Sequence, residues 1–144
     1  MATGDRIDPY AQFNFVIEVD GVARAGFSEC SGLDTETTPI EYREGNEPAT
    51  VRKLPGLHKY TNLVLKRGYT QDKDLWNWRK TVLDGATSRR AGSVILRGEN
   101  GQEVLRWNFR EGWPTKWTGP QLNAKTTEVA IETLEIAHEG IELA

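Results

Sequence analysis

Phe13, Phe15, Ile17 and Val19 fall on one face of an extended chain and Asn14 and Glu18 on the other, with Val16 alone breaking the alternation. Period two is the spacing of a half-buried β-strand, because successive side chains point to opposite faces. The pattern returns in 60–68, where Leu63 and Leu65 face one way, and in 93–97 and 103–109. A chain patterned this way folds around sheets. Asp20-Gly21 and Asn100-Gly101 each separate two such runs, which predicts two hairpins closed by type I′ turns.

The remaining segments follow from turn and cap chemistry. The return strand of the first hairpin spans about 22–31. A polar stretch, 32–38, leads to a short strand over 39–45 that begins on Pro39, a position an edge tolerates. Residues 46–56 read as a long excursion. One helix is expected over 72–84: Asp72 caps it, Leu75, Trp76, Arg79, Val82 and Leu83 recur at helical spacing, and Gly85 follows its end. Its Leu75, Val82 and Leu83 stripe should lie on a sheet. Residues 112–120, Trp-rich and interrupted by Pro114, read as a connector or short strand. Near the C-terminus Val129 and Ile131 share one parity while Leu134 and Ile136 share the other, so a β-bulge near Glu132 or Thr133, or a strand bending between two sheets, is expected. Glu128, Ala130, Glu132 and Glu135 would then face solvent. The fold class is mainly β: a sandwich or barrel of two antiparallel sheets with one flanking helix, in a single domain over 1–144.

Composition narrows the function. At 144 residues, 38% hydrophobic and 27% charged, with five Trp, the chain suits one packed core. Its net charge of −3 lacks the basic footprint of a dedicated nucleic-acid binder. Cys30, the single cysteine, has no intramolecular disulfide partner, which suits a reducing compartment. The N-terminus carries Asp5, Arg6 and Asp8 without an apolar signal core, and no apolar run approaches the roughly 18 residues a membrane span needs, so synthesis in the cytosol without membrane insertion is expected.

Chemical motifs are sparse. His58 and His138 are the only histidines, and with Cys30 they would supply any thiol–imidazole pair or soft metal site. No HExxH, CxxC, GxGxxG, Walker-type or GxSxG pattern occurs. Catalytic, metal and cofactor residues are therefore all expected to be none. Trp107, Trp113 and Trp117 lie close in sequence, and the alternative reading of the chain is a monomeric β-sandwich binding module that stacks a ligand on them. Charge is unevenly placed: 34–47 holds five acids against Arg43, and 49–68 holds five bases and no acid. Such blocks suit pairing within the chain or a head-to-tail contact between identical subunits. Glu41, Arg43, Glu44, Glu47, Arg52, Lys53, Leu54 and His58 are the expected contact residues.

Several short motifs occur in one order: Asp8-Pro9-Tyr10 with Phe13 and Phe15; 26–33, GFSECSGL; 41–45, EYREG; 54–57, LPGL; 65–68, LKRG; 75–78, LWNW; Trp113-Pro114; Gly119-Pro120; and 128–132, EVAIE, with Leu134-Glu135. In this order and spacing the chain resembles the tail tube proteins of contractile phage tails and the related contractile injection systems. The resemblance implies a catalytically inert subunit assembling as hexameric rings, stacked into a hollow tube that conducts DNA or protein effectors when a sheath contracts. It implies as partners further copies of the chain, a sheath protein, a baseplate hub or tube initiator, a cap or terminator, and a tape-measure protein or effector in the lumen. It places the chain in a virion tail or in an extracellular or cell-anchored particle, and leaves the choice open. By the same analogy 1–12 is an N-terminal arm and 46–56 a protruding loop that reaches a neighbour. The acidic C-terminal face, Glu128, Glu132 and Glu135, is expected to line the lumen, where repulsion lets an anionic cargo slide.

Overall fold

The computed structural model describes residues 14–46 and 49–144, so the expected N-terminal arm 1–12, Phe13 and Glu47 lie outside the described residues. The described elements run β1 (Phe15–Val19), β2 (Ala23–Gly26), β3 (Glu29–Ser31), β4 (Thr35–Tyr42), β5 (Arg52–Tyr60), β6 (Leu63–Gly68), α1 (Asp74–Leu83), β7 (Arg90–Arg97), β8 (Glu103–Thr118), β9 (Ile131–Ala137) and β10 (Gly140–Leu143). Strands pair antiparallel in the order β2-β1-β7-β8-β9-β6-β3, with β10 also on β8, and β4-β5 form a separate pair.

β8 organises the body. Its first part pairs with β7 and β10, and its second part, from Trp113, pairs with β9. Between the two the strand bends at Glu111, whose φ is +52°. Two antiparallel sheets therefore share one strand and face each other. Ile17, Val19, Val94 and Phe109 come from one sheet and Leu63, Leu65, Leu134 and Ile136 from the other to make one buried cluster. Leu63 lies opposite Ile136 and Leu65 opposite Leu134 across the β6–β9 ladder, all four fully buried. Each such side chain contributes about 1.5–3 kcal/mol by leaving water.

The return strand expected over 22–31 is two strands. It breaks at Phe27, which turns into the core, so that β2 stays on β1 while β3 crosses to β6. Both hairpins form, yet among the described residues only Gly21 and Gly101 in their turns have positive φ, so neither turn is type I′.

Residues 112–120, expected as a connector or short strand, are largely the second half of the long strand β8. Pro114 is tolerated inside a strand because the β8–β9 register shifts between Pro114 and Lys116, where no ladder donor is needed. The carbonyl of Pro114 accepts a hydrogen bond from Arg79 Nη1 at 3.1 Å.

The helix starts where Asp72 Oδ1 accepts the Asp74 N–H at 2.9 Å. It ends in a Schellman arrangement, with Gly85 N–H on the Val82 carbonyl at 3.1 Å and Ala86 N–H on Thr81 at 2.8 Å. The buried face differs from the expected stripe: Leu75 and Trp78 are buried, while Leu83 is exposed. Leu83 lies about 80° round the helix from Leu75, which carries it off the sheet-facing side. Trp78 is held by its Nε1–H on the Ser88 carbonyl at 2.7 Å.

β9 corrects the sequence reading most sharply. It carries no phase slip: Glu132, Leu134 and Ile136 all point inward, and Ile131, Thr133 and Glu135 point outward. Glu132 is only 2% exposed, so it does not face solvent. The bend between sheets occurs in β8 instead.

The expected excursion over 46–56 is also shorter than the sequence suggested. β4 starts at Thr35 and β5 at Arg52, so a two-stranded hairpin projects from the body, its β4 exposed throughout. Its root is tight. Gly32 has φ +97°, and a Cβ there would meet the Asn62 carbonyl oxygen at 2.0 Å. Gly32→Ala is expected to lower stability by about 2–3 kcal/mol in chemical denaturation, through left-handed strain and backbone displacement together.

Candidate assembly surface

The β4–β5 ladder sets Glu36 opposite Lys59, Glu41 opposite Lys53 and Tyr42 opposite Arg52. The two opposed charge blocks of the sequence thus face each other across one hairpin, and this register accounts for much of their segregation. Glu44 accepts from Tyr42 Oη at 3.2 Å, and His58 Nδ1 lies 2.8 Å from Thr37 Oγ1. Arg43, just past β4, is exposed and has an interaction partner, as does Arg52. The structure therefore brings Glu41, Arg43, Glu44, Arg52, Lys53, Leu54 and His58 onto or beside one projecting element.

Of that hairpin's apolar side, sequence reasoning named Leu54 and missed Ile40 and Leu57. Ile40 pairs with Leu54 on one face, and they are 52% and 45% exposed; Leu57, in the bulged part of β5, is 77% exposed. Ile40 Cγ1 would lie 2.9 Å from a Cβ on Gly56, so its side chain folds over the glycine instead of reaching a core. Among the described residues, these side chains stay largely open to solvent.

The candidate lumen residues separate. Glu128 is exposed, and Glu135 is half-buried with Oε1 3.5 Å from Asn62 Nδ2. Glu132 is inside the subunit: Oε1 takes Arg67 Nε at 2.5 Å, and Oε2 takes the Trp117 Nε1–H at 3.1 Å. An inward strand position beside a buried guanidinium removes it from the surface, so it lines no lumen. Arg67 also lies 3.6 Å from Asp72 Oδ2, which links the pair to the start of α1, and its guanidinium sits 5.6 Å from the Phe27 ring centroid.

Trp107 and Trp117 have separate surroundings. Trp107 lines a cleft of about 600 Å³ between the sheets together with Phe15, Cys30, Leu33, Val64 and Leu96. Trp117 instead packs on Trp76 at 4.9 Å and Tyr69 at 6.3 Å between centroids.

Cys30 is free, and burial pushes its thiol up to about 11. His138 is committed elsewhere, with Nε2 donating to the Thr61 carbonyl at 2.9 Å between the Tyr60 and Phe109 rings. Alkylation of Cys30 by iodoacetamide at pH 8 is expected to run about a hundredfold slower than that of a free cysteine and to recover in urea, because only the thiolate reacts. Among the described residues no group of three or more His, Cys, Asp or Glu side chains is placed to hold a metal ion. No helix among them is long and apolar enough to cross a membrane.

The two-sheet body with its projecting hairpin is the fold of chains from contractile injection machines. A chain of the PVC sheath–tube complex, an extracellular contractile injection system in the extended state, superposes with a TM-score of 0.84 at 24% identity, covering 94% of this chain and 91% of that one. A chain of the anti-feeding prophage tube-terminating cap gives 0.85 at 24% identity, covering 99% and 97%. Hcp1 from Flavobacterium johnsoniae is more distant, at 0.56 and 15% identity over 91% and 94%. No curated protein sequence matches the chain. The family model of the T4-like virus tail tube protein gp19 matches residues 11–142, and the chain belongs to that family. It is a structural subunit of the inner tube of a contractile tail or contractile injection system.

Proposed function

We propose that this subunit assembles as sixfold rings that stack into a hollow tube, and that the β4–β5 hairpin is the element by which one copy holds the next. The exposed hairpin carries the proposal. A two-stranded hairpin alone is at best marginally stable in water, and this one leaves Ile40, Leu54 and Leu57 uncovered in the isolated subunit. A projecting element on one side of a subunit, met by a different surface of the next, makes the head-to-tail contact that closes rings or extends filaments.

Glu41, Arg43, Glu44, Arg52, Lys53, Leu54 and His58 would take part in that contact, with Ile40 and Leu57 added. Glu128 and Glu135 would line the lumen, and Glu132 is withdrawn from that role. A sheath would surround the tube, a baseplate hub or initiator would start it and a cap would end it, partners suggested by the assemblies in which chains of this fold occur. DNA or protein effectors, or a tape-measure protein, would occupy the bore, and the particle would be assembled in the bacterial cytoplasm. The role is mechanical and needs no catalysis.

Electron microscopy of the purified protein, with light scattering on the same sample, tests the proposal. Sixfold rings or hollow tubes are expected. A monomer at high concentration, both alone and after seeding with preformed tube ends, would count against it. Replacing Arg52 and Lys53 together by Glu is expected to shorten the tubes with little change in melting temperature, since both side chains are exposed in the subunit; tubes of unchanged length would remove these two residues from the contact.

A further inference from the structure

We infer that His138 is a positioning residue for the β4–β5 hairpin, its imidazole helping to fix the angle at which the hairpin leaves the body. The hairpin returns to the body through Tyr60, Thr61 and Asn62, between β5 and β6. Thr61 is exposed, so its own burial does not hold that link in place. Its hydroxyl donates to the Gly32 carbonyl on the other leg at 3.0 Å, which sets the spacing of the two legs. The imidazole adds a further fixed point from a different element: in the turn between β9 and β10, His138 Nε2 lies 2.9 Å from the Thr61 carbonyl oxygen.

That anchor is itself held on both sides. β9 is laddered to β6 and β10 to β8, and the Glu139 N–H bonds the Arg110 carbonyl at 3.1 Å. The ring lies between Phe109 of the core, 6.1 Å away between centroids, and Tyr60, the last residue of β5, at 5.9 Å. One side chain therefore joins the core, the end of β5 and the backbone of the link that follows it.

Packing alone does not call for an imidazole there. A carbonyl only accepts, so Nε2 carries the proton and the neutral ring has a bare lone pair at Nδ1. Nδ1 is buried and meets no hydrogen-bond partner among the described residues. A buried polar atom without a partner costs stability, and a phenyl ring would fill the slot between Tyr60 and Phe109 without that cost. What the imidazole adds is the bond to Thr61. Because Thr61 is exposed, its carbonyl would turn to water on release, so the bond bears on where the hairpin points more than on whether the body folds.

Spin-label distances in the dispersed subunit test the inference without requiring tubes, and tube length separates it from the hairpin contact proposed above, on which its consequence for stacking rests. In a Cys30→Ala background, labels at Lys53→Cys in β5 and Glu99→Cys in the β7–β8 turn, both exposed positions, report the hairpin against the body. His138→Phe should melt no lower than its parent while its distance distribution broadens about twofold, a looser root in an intact body. A merely structural histidine would lower the melting temperature instead. The tubes of His138→Phe should be shorter. His138→Gln, whose side-chain amide N–H can reach the same carbonyl, should return both width and length to the parental values. Equal widths in His138→Phe and its parent would overturn the inference, as would a His138→Gln distribution as broad as that of His138→Phe, or a His138→Phe chain that fails to fold. A broadened distribution with tubes of parental length would uphold the positioning role and count against the hairpin as the contact between copies.

Discussion

Glu132→Ala is expected to cost about 3–5 kcal/mol of subunit stability, measured by urea denaturation, because one member of a buried ion pair is removed and the other is left behind. The guanidinium of Arg67 would stay under the β9 strand with a side chain only 9% exposed, and Trp117 Nε1 would lose its acceptor. Against a total of about 5–15 kcal/mol for an ordinary domain, the variant would fold marginally or not at all. Glu135→Ala, on the same strand but facing outward, is the internal control. It should change stability by no more than about 0.5 kcal/mol, in line with surface substitutions away from special features. A loss at Glu132 no larger than at Glu135 would mean that the pair is solvated and the network inert.

The second large effect concerns assembly. Ile40→Asp with Leu54→Asp is expected to abolish rings and tubes while leaving the melting temperature of the dispersed subunit within a few degrees of the parent. Both side chains are about half exposed before assembly, so the subunit loses little. At an interface, each charge would have to be desolvated against an apolar surface, a penalty of roughly 1–3 kcal/mol or more per site, repeated at every contact along a stack. Sedimentation or electron microscopy separates the outcomes: tubes of normal length from the double variant would exclude this face from the contact and leave the charged edge of the hairpin as the contact surface.

Much of the body was legible because half of each strand is buried in this chain alone. Phe15, Ile17 and Val19, or Leu63 and Leu65, keep strict alternation since one face meets the core. The helix was legible at its C-terminal end through Gly85 and in the burial of Leu75, while its N-cap is Lys73 and not Asp72, and Trp78 buries in place of Leu83. The hairpin was half hidden: β4 and β5 have no buried face in the subunit, so residues 35–38 and 52–56 show no alternation to read. β8 was read only as far as Phe109, because Pro114 further on looks like a break, whereas a bulge makes it tolerable within the strand. The partner that lets Glu132 be buried lies 65 positions away in the chain, and no local window contains both Arg67 and Glu132. Of the surface residues, the charged members of the hairpin were identifiable from their blocks of like sign, whereas Ile40 stood out only once its lack of cover was visible.

The hairpin is long and unsupported, yet its root is not free to swing. Thr61 Oγ1 donates to the Gly32 carbonyl at 3.0 Å, and Gly32 lies too close to the Asn62 carbonyl to admit even a methyl group, so the two chains leaving the body are pinned to each other. Such an element behaves as a cantilever clamped at its base. A push or pull at its tip is delivered through Asn62 into β6, whose Leu63 and Leu65 are sealed in the core, and not dissipated in a loose joint. In a stack of such subunits, axial force on each arm would pass into a core strand of its own body.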